Sequence, residues 1–184
     1  MLHPASCVKL SQYAVRKARA GLLSLNDRQV PGTPSSYGDP AMERLLRQVR
    51  ETMEEATRLR LYPTYSYFRV YKRGDILHRH RDRQACEISV SINLSLNSSR
   101  PWPLWLRGHE RTVAVSLSPG DGVGYLGIEC PHWRNTFRGH SAVQVFLHYV
   151  DKNGPNACWK FDRRPRLRVS PRYRRRTRQQ RDRS

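Results

Sequence analysis

Residues 86–96 read CEISVSINLSL and contain the clearest periodicity in the chain. Apolar residues occupy every second position from Ile88 to Leu96, and polar residues lie between them. Successive side chains of an extended chain point to opposite faces, so this alternation predicts a β-strand with one buried face. Shorter segments of the same character predict further strands, near residues 65–71, 102–107, 112–117, 123–126 and 142–150.

The residues before these strands follow a helical period instead. Residues 9–24 predict a first helix, and residues 40–59 predict a second and stronger one. Asp39 can cap the free N–H groups of that second helix, and Pro40 suits its first position. One or two helices followed by about seven short strands predict a sandwich or barrel with helical support on one face.

Positive charge is concentrated at the C-terminal end. The chain has 184 residues and a formal net charge of +19, and its last part, Arg163–Ser184, contains eleven arginines and a single acid, Asp182. This segment has few apolar residues to offset the entropy of ordering, so we predict a disordered tail. The remaining residues, 1–162, form the predicted domain, with a helical part to about residue 60 and a β barrel over about 62–151.

The cysteine pattern and the hydropathy of the chain indicate its cellular location. The four cysteines, Cys7, Cys86, Cys130 and Cys158, contain no Cys-x-x-Cys pair, which favours reduced thiols in a cytoplasmic protein. No apolar run approaches the roughly 18 residues that a membrane span requires. The basic, acid-free residues 1–25 leave an organelle transit peptide open as an alternative.

A metal site is indicated by His80-Arg81-Asp82. Residues i and i+2 of an extended chain point the same way, so the imidazole and the carboxylate can reach one ion. His132, about fifty residues later, follows another predicted strand and can supply a second imidazole. Two imidazoles and a carboxylate form the facial triad of non-haem Fe(II) oxygenases. Spacing alone leaves His78 open as a competitor for His80.

The surrounding residues resemble a known family. Residues 71–82, YKRGDILHRHRD, are similar to the Y-x-x-G-x-x-L/Y-x-x-H-x-D block of the prolyl-4-hydroxylase-like branch of the 2-oxoglutarate/Fe(II) dioxygenases. The resemblance continues in order over about residues 35–160, through Cys86–Leu94, Pro119–Tyr125, His132–Arg134 and Phe146–Tyr149, and is closest to bacterial-type members.

This resemblance implies a fold, a metal and a reaction. The fold would be a double-stranded β-helix of the jelly-roll type, and the iron ligands would be His80, Asp82 and His132, which selects His80 over His78. The chain would use Fe(II), 2-oxoglutarate and O2, with ascorbate as a reductant, to hydroxylate a protein side chain or a small molecule. Such a cofactor carries the chemistry, while the protein supplies ligands, orientation and a dry cavity.

The cosubstrate residues depart from the family pattern. The far carboxylate of 2-oxoglutarate needs a cation and a hydroxyl donor. The resemblance offers Tyr71 as the hydroxyl, although a core aromatic is an equal reading of this residue. Related enzymes carry Arg or Lys nine to eleven residues after the distal His, where this chain has residues 141–143, SAV. Arg134, which shares strand parity with His132, is our first choice as the replacement, before Arg138 and His140.

An alternative class is a basic nucleic-acid-binding protein that uses the barrel as a scaffold. The arginine-rich tail would contact phosphates or another acidic partner. The predicted folded part contains no recognised nucleic-acid motif, so we favour the enzyme.

Overall fold

A computed structural model describes residues 2–168. The helices in this part of the chain are α1 (Pro4–Arg19) and α2 (Pro40–Thr57). The strands are β1 (Ser35–Tyr37), β2 (Leu61–Lys72), β3 (Leu77–His80), β4 (Ile88–Asn97), β5 (Leu104–Arg107), β6 (Thr112–Val115), β7 (Gly122–Leu126), β8 (His132–Arg134) and β9 (Ser141–Asp151). Short 3-10 segments occupy Gln84–Cys86 and Ala157–Arg163. No helix among these residues is long and apolar enough to cross a membrane.

Helix α2 begins as its sequence predicts. Oδ1 of Asp39 accepts hydrogen bonds from the backbone N–H groups of Ala41 and Met42, at 2.9 and 3.3 Å, and Pro40 occupies the first turn. The apolar stripe of α2 is buried against β2 and β9, while the opposite face carries exposed arginines and glutamates. This helix therefore covers the outer face of the larger sheet.

The strands form two antiparallel sheets. The larger sheet has the order β1-β2-β9-β4-β7 and the smaller one has the order β3-β8-β5-β6. Hydrogen bonds cross between the sheets, for example from Arg134 on β8 to Gln144 on β9. Strands distant in sequence are neighbours, which is typical of a jelly roll. This arrangement confirms the predicted fold class, a mainly β jelly roll with N-terminal helices.

Strand β4 is buried on both faces. Its apolar residues, Ile88 and Val90 among them, pack in the main core with α2, as the alternation predicts. Its polar residues Ser89, Ser91 and Asn93 are also buried, each exposing 1% of its surface or less. These polar side chains face the smaller sheet, which covers them and accounts for their burial. This face of β4 is therefore polar, which suits a site more than a core.

Residues 163–168, which the sequence assigns to the predicted tail, contact the folded domain. Leu167 exposes only 1% of its surface and belongs to the main core. Arg164 forms an ion pair with the buried carboxylate of Glu43 at 2.6 Å and donates to the carbonyl of Thr64 at 3.1 Å. These contacts offset the entropy of ordering the segment. The rest of the predicted tail, residues 169–184, lies outside the described residues.

Candidate metal centre

Three ligand-type side chains meet at the edge of the smaller sheet. His80 ends β3, Asp82 follows it by two residues, and His132 begins β8, which pairs with β3 so that His80 and His132 are opposite each other. Nε2 of each histidine lies 3.6 Å from Oδ1 of Asp82. The structure thus brings together all three residues that the sequence indicates as metal ligands, and His78 is exposed outside this group.

Backbone carbonyls orient both imidazoles. Nδ1 of His80 lies 2.8 Å from the carbonyl oxygen of His78, and Nδ1 of His132 lies 2.9 Å from that of Cys130. A carbonyl only accepts, so each Nδ1 carries the proton and each Nε2 presents a lone pair towards Asp82. This is the tautomer in which a histidine coordinates a metal through Nε2.

The Asp82 carboxylate is held by its neighbours on the larger sheet. Ser89 on β4 donates to Oδ2 of Asp82 over 3.2 Å and lies 2.8 Å from Nδ1 of His148 on β9. Burial acts to raise the pKa of Asp82, but the imidazoles of His80, His148 and His132 outweigh it, so the pKa is lowered. Burial also lowers the pKa of His132. Both shifts favour the forms that bind a metal: an ionised carboxylate and a neutral imidazole.

A cavity of about 360 Å³ opens onto this group. Its wall includes His148, whose parity on the last strand suggests a pocket-lining position, and several residues that the sequence did not indicate, namely Tyr65, Arg69, Tyr125 and Asp27. Arg69 has a partner on every nitrogen: Asp27 on Nε, Tyr71 on one terminal nitrogen at 3.2 Å and Gln29 on the other at 2.6 Å. For the β2 residues of this wall, the sequence signal is the shared parity of residues 65, 67, 69 and 71, which places their side chains on one face of the strand.

Arg134 is a buried cation with unused hydrogen-bonding capacity. It exposes 1% of its surface, and burial lowers its pKa to about 10. Its terminal nitrogens donate to the carbonyl of Trp102 at 2.6 Å and to Oε1 of Gln144 at 3.3 Å, while its Nε has no partner. No carboxylate among residues 2–168 forms an ion pair with it.

The two predicted cosubstrate residues are buried but do not line the cavity. Tyr71 is fully buried, packs its ring edge-on against Trp102 at 4.8 Å, and accepts a hydrogen bond from Arg69. Neither Tyr71 nor Arg134 is among the described residues that line the cavity, although Leu77, which pairs with Arg134 across β3 and β8, does line it.

These residues fit the two groups that the sequence resemblance implies. Metal–ligand bonds of about 2.1 Å allow two ligand atoms on one ion to lie up to about 4.2 Å apart, and the observed 3.6 Å separations satisfy this limit. The unpartnered Nε of Arg134, on a buried guanidinium without a counter-ion in the described chain, fits a carboxylate ligand.

Solved structures share this fold. A prolyl-4-hydroxylase from Pseudomonas putida matches with a TM-score of 0.68 and 20% identity, over 82% of this chain and 88% of that chain. EctD from S. alaskensis, solved with bound Fe, matches with a TM-score of 0.64 and 17% identity, over 92% of this chain and 80% of that chain. HygX from Streptomyces hygroscopicus, solved with nickel and 2-oxoglutarate, matches with a TM-score of 0.61 and 10% identity, over 83% of this chain and 80% of that chain.

Neither a protein-family model nor a curated protein sequence matches this chain. The structural likeness covers most of the chain and of each neighbour, at identities that establish the fold. The chain therefore has the double-stranded β-helix fold of the 2-oxoglutarate/Fe(II) oxygenases, which it shares with prolyl-4-hydroxylases.

Proposed function

We propose that this chain is an Fe(II)- and 2-oxoglutarate-dependent dioxygenase that hydroxylates a protein side chain or a small molecule. The observation that carries the proposal is the convergence of Nε2 of His80, Nε2 of His132 and Oδ1 of Asp82 beside a cavity. Two neutral imidazoles and one carboxylate leave coordination positions open on Fe(II), as the facial triad of these oxygenases does.

His80, Asp82 and His132 would hold the metal. When bound, Fe(II) and 2-oxoglutarate supply the oxidation of a substrate C–H bond by O2, with 2-oxoglutarate converted to succinate and CO2. The chain keeps the ligands in their coordinating forms: the carbonyls of His78 and Cys130 fix the two imidazole tautomers. Ser89 holds the second oxygen of Asp82, which leaves Oδ1 directed at the histidines.

Arg134 would bind the far carboxylate of 2-oxoglutarate, with Tyr71 as the predicted hydroxyl partner. Arg69 is the other buried arginine near the metal ligands, but its three nitrogens already have partners, including the carboxylate of Asp27. Arg134 has a free Nε and only neutral partners. An incoming carboxylate therefore gains more at Arg134, where it does not have to displace an existing ion pair.

O2 and an unidentified substrate are the expected partners, with ascorbate as reductant. A cytoplasmic location remains a prediction that rests on the cysteine pattern. The alternative of a nucleic-acid-binding protein finds no support among the neighbours, which include prolyl hydroxylases and an Fe-bound EctD. A contact between the arginine-rich tail and a nucleic acid stays a prediction about residues that are mostly outside the described part.

Succinate release tests this function. Purified protein is incubated with Fe(II), ascorbate and 2-oxoglutarate, alone and with a panel of peptides, free amino acids and nucleosides. We expect slow substrate-independent release that one class of substrate stimulates, and no release by Asp82→Ala. Equal release by wild-type protein and Asp82→Ala would refute the proposal.

A further inference from the structure

A second cleft adjoins the metal cavity. It has a volume of about 420 Å³, and two residues, Arg81 and Tyr125, line both the cleft and the cavity. Arg81 lies between two of the proposed metal ligands in the sequence. The cleft and the cavity therefore meet at the wall that carries the metal centre.

The cleft has an excess of positive charge. Arg79, Arg81 and Arg107 line it and are exposed, and Glu129 is the one acidic residue in its lining. None of these three arginines forms an ion pair with another residue of the described range 2–168. Their charges are therefore available to an anionic ligand.

Neutral contacts hold two of these arginines in place. The guanidinium of Arg79 lies over the ring of Trp133, with its central carbon 5.4 Å from the ring centroid. A terminal nitrogen of Arg107 donates to Oγ1 of Thr112 over 3.3 Å, and its backbone N–H donates to the carbonyl of Pro131 over 2.9 Å. These contacts orient the cations without neutralising them, which reduces the entropy lost when a ligand binds.

The remaining lining favours a polypeptide over a nucleic acid. Leu126, which is 47% exposed, and Pro131 give the cleft an apolar wall beside the arginines. Single-stranded nucleic acids bind through aromatic rings on which bases stack. The one tyrosine of the cleft, Tyr125, already packs its ring against His132, at 4.7 Å between centroids.

We propose that this arginine cleft, formed by Arg79, Arg81 and Arg107 with Leu126 and Pro131, binds an acidic segment of a polypeptide substrate. A neighbouring side chain of that polypeptide would then enter the metal cavity. That this side chain is then hydroxylated rests on the proposed oxygenase function. Binding itself is measured without turnover, so the two can fail independently.

The test is fluorescence anisotropy with the full-length protein. The probes are a short fluorescein-labelled peptide of glutamate, aspartate and leucine, and its counterpart with glutamine and asparagine in place of the acids. The cleft variant is Arg79→Gln with Arg107→Gln. The matched control is Arg44→Gln with Arg47→Gln, which removes the same charge from the exposed face of α2. Both variants keep the C-terminal arginines, and thermal melting checks that both remain folded.

We expect the wild-type protein to prefer the acidic peptide, with a preference that weakens as salt is raised. The cleft variant should bind the acidic peptide at least about fivefold more weakly, whereas the control should stay within about twofold of wild type. Equal losses in the two variants, or equal binding of the two peptides, would overturn the proposal. A single-stranded oligonucleotide that displaces the peptide from wild-type protein, and binds more tightly to it, would also overturn it in favour of a nucleic acid. A separate Fe(II) titration reports on the oxygenase function alone.

Discussion

The hydroxyl group of Ser89 donates a hydrogen bond to Oδ2 of Asp82, over 3.2 Å, and so ties strand β4 to the segment that follows β3. Ser89→Ala removes this contact from a proposed metal ligand. Loss of such a supporting hydrogen bond typically weakens metal binding about 10–100-fold. We expect this loss for Mn(II), measured by calorimetry at a temperature where thermal melting shows the variant to be folded.

Ser91→Ala is the matched control for Ser89→Ala. Ser91 has the same parity on β4 and is equally buried, but its hydroxyl has no hydrogen-bond partner within the described structure. Its removal should leave Mn(II) affinity unchanged. If both variants lose affinity to the same extent, the effect comes from the packing of β4 and not from the support of Asp82.

Arg134→Ala should weaken 2-oxoglutarate binding by two or more orders of magnitude, because breaking a buried ion pair costs about 3–5 kcal/mol. Arg134→Lys should have a smaller effect in the same direction, since Lys cannot reproduce two parallel hydrogen bonds. The measurement is the Kd for 2-oxoglutarate of the Mn(II)-loaded protein. An unchanged Mn(II) affinity shows that the variant is folded.

Two further variants identify the cation that binds the cosubstrate. Arg138→Ala, in an exposed loop, should change the Kd for 2-oxoglutarate little. Arg69→Lys should also have a smaller effect than Arg134→Ala, because Arg69 is already paired with Asp27. A larger effect of Arg69→Lys would move the carboxylate site from β8 to β2, and no effect of any of these changes would argue against 2-oxoglutarate itself.

Leu167→Ala should destabilise the protein by about 2–5 kcal/mol, the usual cost of truncating a buried leucine. Leu167 is 1% exposed and packs in the main core, although it lies in a segment rich in arginine. Urea denaturation followed by fluorescence measures the change. Leu22→Ala, at a position that is 68% exposed, is the control and should have little effect. Equal stability of the two variants would mean that residues 163–168 contribute nothing to the core.

The ion pair of Asp27 with Arg69 predicts a pH-dependent contribution to stability. Burial acts to raise the pKa of Asp27, but the hydrogen bond and charge of Arg69 outweigh it and lower the pKa. A carboxyl whose folded pKa is lowered stabilises the fold above its unfolded pKa, and this contribution is lost as pH falls through the folded pKa. Asp27→Asn should therefore destabilise the protein at neutral pH. The difference from wild type should shrink in acid, and a difference that is constant with pH would contradict this account.

The long elements were predictable from sequence because their periods extend over many residues. Helix α2 and strand β4 lie within two residues of their predicted limits, and the cap at Asp39 is confirmed. Strands β1, β3 and β8 have three or four residues each and lack an apolar alternation as clear as that of β4, and pairing with distant strands forms them.

The metal ligands were partly predictable from sequence because two of them, His80 and Asp82, belong to one H-x-D step. Contacts between distant segments had no such local signal. Arg69 meets Asp27 across 42 positions, and Arg164 meets Glu43 across 121 positions. The sequence of residues 163–168 therefore indicates only positive charge, although Arg164 contacts α2 and the neighbouring Leu167 packs in the core.

Anaerobic titration with Fe(II), or with Mn(II) as an inert substitute, tests the central claim most directly. The wild-type chain should bind one metal ion with high affinity, and His80→Ala, Asp82→Ala and His132→Ala should each abolish this binding. His78→Ala should preserve it, since only the backbone carbonyl of His78 contacts the site. Loss of the metal in His78→Ala together with its retention in His80→Ala would contradict the assignment.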